Sequence, residues 1–502
     1  MSSLRERFQT LFQRTETIKE VPDARTALSL VETDNTFLIG TRAYASQPRA
    51  RNLGWLPDTD ATRRRRSFFM RRFSWLFTVS VVISLCLIAS LSLGISAAGT
   101  IELTYWTHTD DNRTEIEDRY IAEFTKMYPN VKIKRVVNEG SKMGDLVLTA
   151  FSAQNAPDIF NLPIEQQYAY VQHYRVAPVD YKAAGYKDAN DLRAQYLDGT
   201  FDAVTMDGEI YGLPLELTNW CIYVNKKIFR DAGLDPEKDY PKTWEEIADV
   251  SDKIVIREGD IIVRRGFDFR YPYYLVSVLP MIEQLGGKLL SDDGKKAIVN
   301  DQAWLKVLEY MRDWGPHGRN LGSPTYTAPR KIWNKDNNDM AMCVSGFYQQ
   351  GRLRLDNPEF FDSKEWMVIP FPVFKDAVNH VACLYYGHYM MVNAQTSKEK
   401  QEMAWKFIAY MLDHPMEYLE KVNIIQPRRD LLESKDFKEL PYMDVFMGDM
   451  ERAHIVFLHE NGYQFERFIK EAVESVMLSG VQPQEALDTL RERIQEVLDS
   501  EL

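Results

Sequence analysis

The sequence predicts an α/β protein with a parallel sheet, preceded by one apolar segment. After Gly99, stretches with the apolar spacing of a strand alternate with stretches that have the spacing of a helix. This alternation is typical of parallel sheets whose strands are joined by right-handed crossovers. At 502 residues, the chain is long enough for two or three domains.

The first elements after Gly99 follow from their apolar spacing. Residues at alternating positions predict three strands, and residues at helical spacing predict the two helices between them. In chain order, these elements are predicted at 101–105, 116–127, 131–137, 143–153 and 157–160. Later helical stripes at 299–314, 403–412 and 483–498 are predicted to pack in the core. Because open parallel sheets bind ligands beyond the carboxyl ends of their strands, Trp106-Thr107-His108 and Asn161-Leu162 are candidate binding positions.

The apolar segment has the features of an export signal. A basic cluster, Arg63–Arg66 with Arg71 and Arg72, precedes an uncharged run of 26 residues from Phe73 to Ala98. About 20 apolar residues are enough to span a bilayer, and arginines before such a run hold that end in the cytoplasm. The sequence therefore predicts that the chain after this segment is exported.

Residues 70–98 are predicted to be either a signal peptide or a membrane anchor, and both alternatives stay open. Ser96-Ala97-Ala98 has the small-x-small pattern of a cleavage site, whereas the length of the run and its basic leader favour an anchor. If the segment is uncleaved, residues 73–98 attach the protein to the membrane. Residues 1–69 are predicted to be either a disordered leader or a stretch upstream of a true start at Met70.

The charge distribution excludes nucleic acid as a partner. The formal net charge is −12. Residues 1–98 carry 14 Lys and Arg against 8 Asp and Glu, while the rest of the chain carries 47 against 65. An acidic body of this kind repels phosphate backbones.

The four cysteines predict neither a disulfide scaffold nor a metal site. Cys86 lies in the apolar segment, and no CxxC pair or zinc spacing occurs. Buried free thiols are expected, with a single Cys221–Cys343 or Cys343–Cys383 bridge as the alternative. The sequence predicts no cofactor and no metal ion.

The sequence also lacks the patterns of a catalytic site. No GxSxG, HExxH, P-loop or GxGxxG lies at a strand-to-helix junction. The adjacent carboxylates Asp110/Asp111 and Glu245/Glu246 would point in different directions on a strand or helix, which does not suit the paired acids of glycoside cleavage. The protein is therefore predicted not to be an enzyme, and an extracellular glycan hydrolase is the remote alternative.

Five stretches in particular carry a family resemblance. They are IELTYWTHTDD, APDIFNLPIEQQYAYVQHYRVAPVD, YGLPLELTNWCIYVNKKIFRDAGLDPEKDYPKTWEEI, NNDMAMCVSGFYQQGRL and YYGHYMMVNAQTSKEKQEMAWKFIAYML. In this order they resemble the family 1 extracellular solute-binding proteins, the group that includes maltose-binding protein, over residues 101–502. The resemblance implies a two-lobed, type II periplasmic-binding-protein-like fold, in which two α/β lobes close on a ligand by hinge rotation.

The resemblance also implies where the lobes divide. Lobe one is expected at 101–217 plus 388–447, and lobe two at 218–387 plus 448–502. The chain is expected to cross between the lobes near Glu216–Cys221, near Leu384–Tyr389 and at about 445–455.

Positions that match the family motifs supply candidate contacts for a sugar. A sugar ring needs aromatic platforms for its apolar face and planar polar groups for its hydroxyls. The candidate platforms are Trp106, Trp220, Phe347, Tyr348, Tyr386 and Tyr463. The candidate polar contacts are His108, Asp110, Asn161, Glu165, Glu216 and His388.

Taken with the export segment, the resemblance implies a protein that captures a mono- or oligosaccharide for an ABC importer. It is expected to act as a monomer in the periplasm or on the outer face of the cytoplasmic membrane, and to dock on the permease of the importer. The alternatives are an anchored sensory protein, or a binding protein for a peptide, a polyamine or a phosphorylated polyol. Arg428 and Arg429 keep an anionic ligand open, whereas 26 Tyr, 25 Phe and 10 Trp favour a sugar.

Overall fold

The computed structural model describes residues 99–500, with gaps at 260, 272, 300, 323–332, 336–338, 383–385 and 454–458. All described elements belong to the unit Ile95–Leu502. The predicted leader at 1–69 and the predicted export segment at 70–98 lie outside the described residues. In the part of the chain that is described, no helix combines the length and the apolar character needed to cross a membrane.

Strands and helices alternate over residues 101–172, and runs of strands and runs of helices follow later in the described residues. The strands are β1 Ile101–His108, β2 Val131–Asn138, β3 Ile159–Pro163, β4 Thr205–Met206, β5 Glu209–Ile210, β6 Leu213–Thr218, β7 Trp220–Asn225, β8 Ile256–Glu258, β9 Ile261–Asp268, β10 Met340–Gly346, β11 Trp366–Ile369 and β12 Tyr386–Val392. The helices are α1 Asp111–Met127, α2 Met143–Ser152, α3 Ile164–Gln172, α4 Ala189–Ala194, α5 Lys226–Asp231, α6 Trp244–Ile254, α7 Leu275–Gln284, α8 Gln302–Trp314, α9 Tyr348–Asp356, α10 Pro358–Ser363, α11 Lys398–Leu412, α12 Pro415–Glu417, α13 Arg429–Glu433, α14 Lys435–Lys438, α15 Met443–Met450, α16 Gly462–Leu478 and α17 Pro483–Ser500.

The first large sheet has five strands in the order β2-β1-β3-β12-β6. Strand β1 pairs in parallel with both β2 and β3, as the alternation of strand and helix predicts. The late strand β12 then inserts antiparallel between β3 and β6. A segment from far along the chain therefore completes the sheet that the first strands begin.

The second large sheet has the order β11-β7-β10-β9-β8. Strand β7 pairs antiparallel with β10 and β11, and β9 pairs in parallel with β10. Only Asn219 separates β6 of the first sheet from β7 of the second. The chain thus passes directly from one sheet to the other at this residue.

Each large sheet has its own apolar core. The first core includes Leu103, Tyr105 and Leu215, and the second includes Ile222 and Val224. A third, smaller cluster packs on the other face of the second sheet, because alternate residues of a strand point to opposite faces; its members include Cys221, Tyr223, Cys343, Ile425 and Phe446. We call the first sheet with its core the first lobe, and the second sheet with both of its clusters the second lobe.

The α/β class predicted from the sequence is confirmed, with two lobes built on two mixed sheets. Cys221 and Cys343 are buried free thiols, so the alternative of a bridge between them is wrong, and Cys383 lies outside the described residues. The expected lobe boundaries stay predictions. The third cluster joins residues 425–446 to the second sheet, whereas the sequence places the last crossing at about 445–455.

Side chains fix where several helices begin. Asp110 accepts a hydrogen bond from the backbone N–H of Arg113 at the start of α1. Thr243 and Ser397 cap α6 and α11 in the same way. Such caps satisfy N–H groups that have no partner within the helix. The cap also holds Asp110 at the edge of the first sheet, just beyond β1.

Candidate ligand-binding site

Four polar residues lie side by side on the first sheet, and we call them the floor cluster. His108 ends β1, Asn161 lies on β3, His388 on β12 and Glu216 on β6. These four strands are consecutive neighbours in the sheet, and His388 lies directly opposite Glu216 in the β12–β6 pairing. The late insertion of β12 therefore brings together residues that are far apart in sequence.

The floor cluster is tied together by its own contacts. Asn161 Nδ2 lies 3.1 Å from His108 Nδ1 and 3.3 Å from His388 Nδ1. The two imidazole rings meet edge to face, with 4.1 Å between their centroids. One ligand atom each of His108, Glu216 and His388 lies within 4.8 Å of the other two. No metal-binding pattern is visible in the sequence, because these residues are far apart along the chain.

Burial controls the protonation of the floor cluster. Removal from water lowers the pKa of His388 to about 3, with a further lowering by Arg113. Burial also holds the pKa of His108 well below its ordinary value, and the neighbouring His388 adds to this effect. Both rings are therefore neutral at physiological pH. Burial raises the pKa of Glu216 to about 7, against the lowering influence of Arg113, so this carboxyl group can donate or accept a hydrogen bond near neutral pH.

The second lobe contributes a facing wall built from aromatic rings and arginines. The guanidinium carbon of Arg270 lies 4.1 Å from the ring centroid of Trp220 and 5.5 Å from that of Tyr273. Arg270 Nη1 also donates a 2.6 Å hydrogen bond to the Tyr348 hydroxyl. Arg352, one helical turn after Tyr348, has its guanidinium carbon 5.2 Å from the Tyr348 ring. We call these five residues the aromatic wall.

Arg270 adopts a backbone conformation that is rare for its type. Its φ of 62° lies in the left-handed region, which a residue with a side chain enters only at an energetic disadvantage. The residue is 9% exposed, and its side chain contacts the rings of Trp220, Tyr273 and Tyr348. Strained residues that are held by their surroundings cluster at functional sites.

The floor cluster and the aromatic wall face each other where the two lobes meet. Arg352 forms an ion pair with Asp110, which caps α1 in the first lobe. A Cβ atom added to Gly140 would lie 3.3 Å from the Tyr273 hydroxyl and 3.7 Å from the Cβ of His108. The glycine therefore allows the close approach of residues from both lobes at this point.

A second set of contacts joins the lobes away from the floor cluster. The Tyr463 hydroxyl donates a 2.7 Å hydrogen bond to Asp145 Oδ1 on α2. His173 Nε2 lies 3.6 Å from Glu460 Oε2. Together with the Arg352–Asp110 pair, these contacts hold the two lobes against each other in this structure.

The structure brings only some of the predicted contact residues together. His108, Asp110, Asn161, Glu216, Trp220, Tyr348 and His388 lie in the floor cluster, in the aromatic wall or in the ion pair between them. Trp106 is partly buried against the first core, and Phe347 packs in the third cluster with 5.5 Å between its ring and that of Phe446. Tyr463 joins the lobes through Asp145. Glu165 lies in α3 and Tyr386 in β12, and both side chains are outside the described part.

Sequence reasoning missed the arginines of the site. Arg270, Arg352 and Arg113 approach it, whereas the predicted basic pair Arg428 and Arg429 does not reach the floor cluster through any contact among the described residues. Arg428 pairs with Asp430 and Asp413, and Arg429 pairs with Asp198. The one available signal was the four-residue spacing of Tyr348 and Arg352 on α9, which places both on one helix face.

Two α/β lobes that meet over a polar and aromatic site define a protein that binds a solute between its lobes. The chain belongs to the bacterial extracellular solute-binding proteins, because the model of that family matches residues 110–417, more than half of its length. It is accordingly a binding protein rather than an enzyme.

Known relatives and solved structures agree with this assignment. An arabinooligosaccharide-binding protein of Bacillus subtilis strain 168 is 22% identical over 447 residues, which are 84% of this chain and 98% of that protein. An arabinooligosaccharide-binding protein of Halalkalibacterium halodurans is 23% identical over 331 residues, 63% of this chain and 68% of that protein. A solute-binding protein of Thermotoga lettingae, solved with α-D-tagatose, superimposes with a TM-score of 0.69 at 21% identity, covering 79% of this chain and 100% of that one. The structural likeness establishes the shared fold.

Proposed function

We propose that this protein captures a carbohydrate between its lobes for an ABC importer. The observation that carries the proposal is the pairing of the floor cluster with the aromatic wall across the meeting point of the lobes. Neutral imidazoles, an amide and a carboxyl group that titrates near neutral pH can each donate or accept hydrogen bonds to sugar hydroxyls. The names of the two arabinooligosaccharide-binding relatives support the same ligand class.

The aromatic wall suits the apolar face of a sugar in a particular way. Trp220 is fully buried and carries the Arg270 guanidinium over its ring, so it supports the site from behind. Tyr273 is only partly buried and lies near His108 across Gly140. We therefore expect Tyr273, which was not predicted from the sequence, to contact the sugar more directly than Trp220 does.

The setting of this function is also part of the proposal. We expect the protein to work outside the cytoplasmic membrane, either released after cleavage of the 70–98 segment or anchored by it. It would act as a monomer, and the closed form would dock on the membrane permease of the importer. Lobe closure supplies the signal of occupancy, because the two contacts Arg352–Asp110 and Tyr463–Asp145 form only when the lobes meet.

A second candidate ligand is an anionic solute, such as a phosphorylated polyol or an acidic sugar. The observation that favours it is the position of Arg270 and Arg352 on the aromatic wall. A guanidinium group binds carboxylate and phosphate oxygens through paired hydrogen bonds. Arg352, however, is already paired with Asp110, which reduces the positive charge that an anion would meet.

Thermal-shift screening of the full chain in mild detergent would test the ligand class. The screen would contain neutral mono- and oligosaccharides, uronic acids, glycerol phosphates, peptides and polyamines. A ligand at 100 times its Kd should stabilise the fold by about 2.7 kcal/mol. We expect the shift with a neutral sugar, and a shift with glycerol phosphates alone would replace the carbohydrate proposal by the anionic one.

A pair of matched variants would show whether the shift arises at this site. Glu216→Gln keeps the size of a buried residue in the floor cluster, and Glu245→Gln makes the same change on the helix α6 of the second lobe. We expect Glu216→Gln to weaken sugar binding at least tenfold and Glu245→Gln to leave it unchanged. Equal sugar affinity of both variants would place the ligand elsewhere.

A further inference from the structure

Two histidines and a carboxylate meet in the floor cluster in a way that suits a metal ion. The ligand atoms of His108, Glu216 and His388 all lie within 4.8 Å of one another. The three residues come from β1, β6 and β12 of the same sheet. Ladder hydrogen bonds fix these backbones, so the convergence of the side chains does not depend on a loop.

The Glu216 carboxylate provides a second, independent observation. Its residue is only 3% exposed, and among the described residues its side-chain oxygens make no hydrogen bond and no ion pair. A buried carboxylate without a partner is strongly disfavoured. The carboxylate instead faces the two imidazoles of the cluster, where a bound cation would stabilise it.

Asn161 holds both rings as an outer-shell residue of a metal site would. Its amide lies 3.1 Å from His108 Nδ1 and 3.3 Å from His388 Nδ1. With the amide oxygen turned toward the rings, Asn161 would accept a hydrogen bond from the Nδ1–H of each. In that tautomer Nε2 would be the ring atom that binds the metal, which is how outer-shell groups orient histidine ligands.

The charges around the cluster leave room for a cation. Arg113 is paired with Glu117, with 3.1 Å between Nε and Oε1, and Arg352 is paired with Asp110. These two arginines therefore each have an acidic partner of their own. The carboxylate of Glu216 remains to balance the charge of a bound ion.

We propose that His108, His388 and Glu216 bind a divalent transition-metal ion of the zinc type at the floor of the cleft. Two imidazole nitrogens and one carboxylate oxygen are ligands that zinc favours. In a tetrahedral zinc site, ligand atoms are about 3.4 Å apart, so the three side chains draw together by rotation about their own bonds. Zinc takes four ligands, and the fourth position is left for water or for the solute. Zinc binding at this site does not depend on whether the solute is a carbohydrate.

Zinc binding to the full chain would test the proposal directly. The protein in mild detergent, with any polyhistidine tag removed, is stripped with EDTA and titrated with zinc chloride by calorimetry. We expect one zinc ion per chain, and an affinity at least tenfold weaker in His388→Gln and in Glu216→Gln. His317→Gln is the matched control, because His317 contacts the Leu478 carbonyl oxygen outside the cluster, and its zinc affinity should equal that of the parent. Equal zinc affinities of all four proteins would overturn the proposal.

X-ray absorption of the zinc-loaded parent protein keeps the test independent of variants that fail to fold. The expected zinc shell contains two imidazole nitrogens and light oxygen ligands, with no sulfur. A shell with fewer than two imidazoles, or with a thiolate, would place the ion elsewhere and refute the site. Because sugar binding is measured in a separate titration, failure of the zinc site leaves the proposed carbohydrate function to its own test.

Discussion

The ion pair between Asp110 and Arg352 should contribute directly to solute affinity. It joins the cap of α1 in the first lobe to α9 in the second, so it exists only when the lobes are closed. The Asp110 side chain is 6% exposed and that of Arg352 is 21% exposed. A hydrogen bond between charged groups is worth about 1.5–3 kcal/mol, and the partial exposure of Arg352 reduces this to about 1–2 kcal/mol.

A double-mutant cycle would measure this contribution. Asp110→Asn keeps an N-cap for α1 but removes the charge, and Arg352→Gln removes the other partner. Each single variant should bind the solute about 5–30-fold more weakly, as measured by calorimetry. The double variant should bind about as well as the weaker single variant, which corresponds to a coupling energy of about 1–2 kcal/mol.

The same cycle separates lobe closure from direct contact with the solute. If Asp110 binds the solute itself, Asp110→Asn will weaken binding by the same factor whether or not Arg352 is present. If the loss of solute affinity in the double variant equals the product of the losses in the two single variants, the pair has no role in lobe closure. Circular dichroism and thermal melts of all four proteins would verify that the fold is intact.

Two further predictions concern the hydrogen bond of Tyr463 between the lobes and the buried carboxyl group of Asp268. Tyr463→Phe removes the hydrogen bond to Asp145 between the lobes, which is worth about 1 kcal/mol, so calorimetry should show a solute Kd about fivefold higher. Tyr174→Phe removes a tyrosine–aspartate hydrogen bond within the first lobe and should leave the Kd unchanged. Equal effects of the two variants on the Kd would contradict a role of Tyr463 in joining the lobes. Burial raises the pKa of Asp268 to about 8 from 3.8, so its stabilising neutral form is fully present below pH 4 and is lost as the pH rises through 8. Denaturant unfolding should therefore show that, between pH 4 and pH 8, the free energy of unfolding of Asp268→Asn rises relative to that of the parent protein by up to about 5 kcal/mol. A constant difference between the two free energies over this pH range would show that the pKa of Asp268 is not raised.

His108 and Asn161 could be predicted as parts of the site because the rule for parallel sheets is local. Apolar spacing predicted both just beyond the ends of two strands, whereas the structure has His108 as the last residue of β1 and Asn161 in the middle of β3. Glu216 and His388 followed from the family motifs, but their contact with the other two depends on the insertion of β12 between β3 and β6. No periodicity in the sequence indicates that insertion.

The aromatic wall could be predicted only in part, because its contacts depend on tertiary structure. Phe347 and Tyr348 are adjacent and both aromatic, yet one packs in the third cluster and the other against the second core and Arg270. The unusual backbone of Arg270 has no signal in a run of residues rich in tyrosine and phenylalanine. Arg352 and Asp110 are 242 positions apart, and only the approach of the lobes pairs them.

The floor cluster connects solute capture and metal binding through one thermodynamic relation. If a hydroxyl of the solute occupies the fourth position on a zinc ion, each ligand raises the affinity of the other by the same factor. If the solute instead keeps, in the presence of zinc, the direct hydrogen bonds to His388 and Glu216 that are proposed for the zinc-free protein, zinc and solute compete, and each lowers the affinity of the other. Calorimetric titration of the solute with and without zinc chloride distinguishes these cases. We expect each ligand to raise the affinity of the protein for the other, because two neutral imidazoles and one carboxylate leave zinc one ligand short of four. If each ligand instead lowers the affinity for the other, the metal does not contact the solute in a shared site.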